Sequence, residues 1–241
     1  MRNMPFICRI NLAAICLSAG LIAMSGIANG TDKKESLGWT ESFYLEKCVF
    51  SSEGRNEFFI LEPGYQLILE GVEEEDSVEL VITVLKQTEK VGNVETRIVE
   101  ERETVNDTIV EISRNFYAIC TQTNSVFYFG EDVDIYEHGQ MVGHGGSWRA
   151  DSGNAKAGLM MPGIILLGAR YYQEMAPHLA MDRAEIVSDK EMLQTPAGRF
   201  KNCLKTEETT PLEAKEYKLY APGIGLIKDG DLLLTKYRFV P

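Results

Sequence analysis

The chain has 241 residues, 44% of them hydrophobic and 25% charged, with a formal charge of −12. An acidic chain without a Lys/Arg cluster has no electrostatic footprint for a phosphate backbone, which excludes nucleic acid and anionic lipid surfaces as partners. The length suits one domain, able to bury about 70% of its unfolded surface without metal staples.

Arg2 and Arg9 give the chain a basic start, residues 10–27 are mostly apolar and small, and no acid precedes Asp32. This is the three-part plan of a secretory signal. Ala28-Asn29-Gly30 puts small residues where a signal peptidase reads, so cleavage is expected after Gly30. An uncleaved membrane anchor is the rival reading, weakened by Asn11, Ser18 and Ser25. Cys16 follows Ile15, where a lipidation signal needs a small residue, so a lipoprotein is disfavoured. Loss of residues 1–30 removes two arginines and no acid, leaving 211 residues with 22 basic against 36 acidic side chains, a charge of −14. No later segment is apolar enough to span a membrane as a helix, and a periplasmic or secreted monomer is expected.

Residues 31–60 read as an extended or loosely helical lead-in, and 61–241 as an antiparallel β domain. From "LEPGYQLILEG" onward, short runs of β-branched and aromatic residues alternate with turn signals, about 8–14 residues apart. Gly92-Asn93, Asn106-Asp107 and Thr123-Asn124 mark the early turns, Pro196-Ala197-Gly198 and Asp229-Gly230 the late ones. The glycine-rich stretch 143–163 reads as a loop across an end of the sheet, and "YYQEMAPHLAMDRAEI" as a helical turn or a bent edge strand. The fold class is therefore all-β: a meander of about nine to eleven strands curled into a strongly curved sheet, half-barrel or barrel, which manages its edges.

"SVFYFGEDVDIYEHG" (residues 125–139) concentrates aromatics and carboxylates. Strand parity puts Phe127, Phe129, Glu131, Val133 and Ile135 on one face, toward the core, and Asp132 and Asp134 on the other, toward solvent. As a calcium loop the stretch fails, since the sixth position from Asp132 is Glu137 where glycine is required. Glu131 is then an acid on an apolar face, and Arg114 has the same problem on the preceding strand. An ion pair between Glu131 and Arg114, buried and without a ligand, resolves both.

Three cysteines follow the signal. Export permits a disulfide, and Cys48–Cys120 is the preferred pair because Cys48 lies in an irregular segment that needs tying down; the other pairings stay open. Cys203 would then be free; its parity partners Lys201 and Lys205 allow a water-facing thiol of lowered pKa, but a structural, half-buried cysteine is the preferred reading. His138 and His144 sit among glycines and define no metal site. No G-x-S-x-G frame and no phosphate-binding glycine loop is present. No catalytic, metal or cofactor-binding residue is assigned.

"TPAGRFKNCLKTEETTPLE", "EYKLYAPGIGLIKDGDLLL" and "FYFGEDVDIY" together resemble a family of exported bacterial all-β proteins that share a Pro-Ala-Gly hairpin and a Tyr-Ala-Pro-Gly-x-Gly strand. The resemblance covers most of residues 55–240. It implies turns: Pro196 and Gly198 build a hairpin, and Gly223 and Gly225 permit a bend or bulge. A looser similarity extends to curved-sheet lipoprotein-localisation factors, which hold acyl chains in a half-barrel; it transfers no residue. The expectation is a non-catalytic binding module for an apolar or lipid-like ligand, or for an envelope protein. The alternatives are a structural or interaction protein with a filled core, or a hydrolase with an unrecognised site.

Overall fold

Two-residue turns at Gly92, with φ 59°, and at Asn106-Asp107, with φ 49° and 62°, set the first hairpins, because only residues tolerant of positive φ close so tight a loop. The computed structural model describes residues 38–209 and 215–241; Trp39–Pro241 forms one compact unit. The signal-like stretch 1–30 lies outside the described residues.

After a 3₁₀ turn at Leu45–Lys47 come three short strands, β1 (Phe50–Ser51), β2 (Gly54–Asn56) and β3 (Phe59–Leu61). Strand structure thus begins within the stretch that reads as a lead-in. Five long strands follow: β4 (Tyr65–Glu73), β5 (Asp76–Val91), β6 (Val94–Val105), β7 (Thr108–Cys120) and β8 (Ser125–Glu137). Next are the shorter β9 (Gln140–Gly143), β10 (Trp148–Arg149), β11 (Lys156–Met161), β12 (Arg170–Tyr172) and β13 (Glu174–Met175). The glycine-rich region expected to be a loop therefore contributes β10 and β11, both paired to β8. The chain finishes with β14 (Arg183–Thr195), β15 (Gly198–Thr209), β16 (Glu216–Ala221), β17 (Gly225–Asp229) and β18 (Leu232–Phe239).

The sheet is an all-antiparallel meander whose spatial order runs β14-β15-β16-β17-β18-β4-β5-β6-β7-β8-β11. β18 pairs with β4, so the last strand returns to the first long one. The two ends of the path are β12, paired to β14, and β13, paired to β11. These are consecutive pieces of one bent segment separated only by Gln173, and they bring the sheet to a nearly closed barrel. Near-closure leaves little free edge, which removes the aggregation hazard of a long open sheet.

The barrel has apolar packing on both sides of its wall. Outside, Phe116, Phe127 and Phe129 pack beneath Phe43, Leu45 and Phe50 of the N-terminal segment. The Cys48–Cys120 disulfide, Cα–Cα 5.3 Å, ties that segment to the end of β7. Inside, Leu69, Leu80, Leu232 and Leu234 are buried. At one end the β2–β3 hairpin, a separate small sheet, folds over the barrel. Its Glu57 carbonyl accepts from Gly223 N–H at 2.7 Å, and Phe59 meets Tyr117 edge-on at 5.1 Å.

Candidate functional site

The β7–β8 pair carries a parity switch. Across β7 and β8 the register runs Tyr117–Tyr128 and then Asn115–Glu131, so two steps on β7 face three on β8. The extra residue is accommodated at Gly130, whose φ is 134° and where a Cβ would lie 2.2 Å from the Trp148 carbonyl oxygen. A bulge of this kind moves every later side chain to the other face. Phe127 and Phe129 stay in the outer cluster, while Glu131 turns inward beside Tyr128, whose hydroxyl donates to Asn115 Oδ1.

The expected Glu131–Arg114 ion pair does not form. Arg114 lies on the outer face, donating to Asp134 at 2.9 Å and sitting 3.4 Å from Glu100. Asp134 also meets His144 Nδ1 at 2.9 Å, and Asp132 accepts from Arg149 at 2.7 Å. Asp132 and Asp134 are thus ion-paired wall residues. Glu131, buried, is pushed well above the usual carboxylate range by desolvation, with the neighbouring Tyr128 hydroxyl acting in the opposite direction. Cys203 is a structural cysteine, and the water-facing alternative with a lowered pKa does not hold. It is fully buried, and burial followed by Glu191 pushes its thiol up, which makes it a poor nucleophile. A left-handed Asn202, φ 55°, precedes it, so simple alternation along β15 does not apply there.

What alternation along single strands could not show is the polar interior that β6, β15, β16 and β17 build together. Lys218 lies opposite Thr206 on one side and Asp229 on the other. Its Nζ is 3.2 Å from Asp229 and 3.4 Å from Glu208. Glu208 is further held by Gln173 Nε2 at 3.2 Å, Thr206 Oγ1 at 3.1 Å and the Tyr220 hydroxyl at 3.4 Å. Burial pulls the Lys218 pKa down, but Asp229 and Glu208 more than offset it and keep the lysine charged.

Glu101 on β6, opposite Ile82 and Ser113, reaches the same interior. Burial raises its pKa to about 7, with Lys218 the only opposing influence among the principal ones. The signal for this carboxylate was present in "VETRIVEERETV", where acids recur on both parities, but nothing local said which parity faced in.

Above Lys218, Asp229 and Glu101 lies a cavity of about 70 Å³ under the β2–β3 hairpin. Leu67, Val84, Val99 and Leu226 give it an apolar wall, and Phe58, Phe59, Tyr65, Tyr117 and Tyr220 bring aromatic rings to it. Phe59 and Ile224 form a half-buried rim. Lys218 keeps 23% of its side-chain surface accessible although it is deep in the barrel, because that surface faces the cavity. A larger groove of about 550 Å³ runs outside the barrel between Glu41–Glu46 and the Gly92-Asn93 turn, but it is shallow and open to solvent. Among the described residues no group of three or more His, Cys, Asp or Glu side chains is arranged to hold a metal ion, and no helix is long and apolar enough to cross a membrane.

Fold and cavity define a class: an all-β, nearly closed antiparallel barrel with an internal, apolar-walled and charged-floored cavity. No protein-family model, curated protein or solved structure matches the chain.

Proposed function

We propose that this is an exported cell-envelope protein that binds an apolar, lipid-like ligand inside its barrel and catalyses no reaction. The observation that carries the reading is the cavity under the β2–β3 hairpin, with aliphatic and aromatic walls meeting a few convergent polar groups, the usual composition of a small-molecule site. About 70 Å³ holds a few waters or one end of a ligand. A longer chain therefore continues past the Phe59–Ile224 rim, displacing the hairpin. Export is supported by the signal-like start of the sequence and by a disulfide, which persists in oxidising compartments.

Titration of the full chain with N-phenyl-1-naphthylamine, a neutral apolar fluorophore, tests the reading. Saturable enhancement is expected, and Ile224→Trp at the rim should weaken it about tenfold or more. A linear, unsaturable signal, or one indifferent to that substitution, would leave the competing reading in place. That reading, a structural or interaction protein with a filled interior, draws on the hairpin aromatics that occupy the barrel end.

A further inference from the structure

The floor of the cavity is electrostatically one-sided. Lys218 is its single cation among the described residues, and Asp229 and Glu208 already engage that charge at 3.2 and 3.4 Å. Glu101 lines the same cavity and makes no hydrogen bond, and no ion pair within 4 Å, among the described residues. A second group points the same way. Tyr117 is 4% exposed and lines the cavity, and its hydroxyl has no hydrogen-bond partner among the described residues.

Two unpartnered groups with hydrogen-bonding capacity, two lining carboxylates beside one lysine that Glu208 also engages, and five aromatic rings restrict what can enter. An anionic head group would face Glu101 and Asp229, and Lys218, the one cation lining the cavity among the described residues, is already paired; that like-charge arrangement is costly away from water. A neutral alkyl group would fill the wall but leave Glu101 desolvated and unpaired. A protonated amine supplies donors and a positive charge to Glu101, and ring faces around it attract a cation further. We infer that the ligand's polar end is an organic ammonium: an apolar body carrying a protonated amine, seated on Glu101 among the rings of the cavity. The inference rests on the binding reading above and narrows it.

The elevated pKa of Glu101 agrees with this picture, since a carboxyl held near neutrality by burial gains most from an incoming cation. The arrangement also explains why Lys218 is doubly paired: it stabilises the barrel floor without neutralising Glu101.

Calorimetric titration of the full chain at pH 8 with n-octylammonium, 1-octanol and octanoate provides the test. Octylammonium should bind about tenfold tighter than octanol, and octanoate most weakly. Glu101→Gln should abolish the preference for ammonium over alcohol, lowering octylammonium affinity about tenfold. Equal binding of octanol and octylammonium, tighter binding of octanoate, or an ammonium preference that survives Glu101→Gln would each overturn the inference. Should the variant fail to fold, the wild-type ranking alone decides. Saturable octanol binding without an ammonium preference sinks this inference but not the cavity reading; no binding of any of the three at about 1 mM removes both.

Discussion

At Gly130 one residue decides the faces of its neighbours. Its φ of 134° is one that side-chain-bearing residues rarely adopt, and a Cβ would sit 2.2 Å from a backbone oxygen. Gly130→Ala should therefore destabilise the fold by about 2 kcal/mol or more, through strain and displacement of β10 from β8. Urea unfolding would show this as a lowered midpoint at unchanged slope; an unchanged midpoint would contradict it. The acids and aromatics of residues 125–139 were legible in sequence, and so was the outward direction of Asp132 and Asp134. That Phe127 and Phe129 lie on the opposite face from Glu131 was not, because a bulge adds a residue without a distinctive local sequence beyond one glycine. The partner of Arg114 followed from the same slip: once the parity changes, Asp134 and not Glu131 shares its face.

Among the elements, the β2–β3 hairpin governs access to the cavity. Asn56 anchors it: buried, it donates from Nδ2 to the carbonyls of Asn124 at 2.8 Å and Pro162 at 3.0 Å, and its Oδ1 accepts from Phe58 N–H at 2.8 Å. Asn56→Ala leaves those backbone groups unpaired and should cost about 1–3 kcal/mol. It should also raise the uptake rate of an apolar fluorophore, since the hairpin is held less firmly. Stopped-flow fluorescence measures the second effect; an unchanged rate alongside lowered stability would show that the hairpin is not the entrance. The turns that frame these elements were readable because each depends on a local φ requirement. The pairing of β10 and β11 with β8 was hidden, since glycine-rich strands lack the alternation that marks a half-buried strand.

For the whole molecule, interior acids shape the response to pH. Burial raises Glu101 to about 7, Glu103 to about 8 and Glu216 to about 7, from an ordinary value of 4.5. Each binds its proton more tightly folded than unfolded. The stability it contributes is full below about pH 4.5 and is lost as pH rises through 7 to 8. Glu62, Asp134 and Glu207 act oppositely: hydrogen bonds from Arg55, Arg114 and Lys215 lower their pKa values, so their contribution is lost in acid. Those pairs lie near the surface and are screened, so the buried groups dominate. The thermal midpoint should be highest near pH 5 and lower by about 5 °C or more at pH 9. Scanning calorimetry across that range checks it, and a midpoint that rises toward pH 9 would contradict the sign.

The sequence by itself determined the all-β class, the tight hairpins and the meander, because two-residue alternation and positive-φ turns are local properties of the chain. Near-closure through the bent segment 170–175, the separation of Glu131 from the face of Phe127 and Phe129, the full burial of Cys203 and the gathering of Glu101, Lys218 and Asp229 around one cavity, with Glu208 on Lys218, belong to the tertiary structure. Strand register and bulges decide which face of each strand looks inward, and those depend on partners far away in sequence.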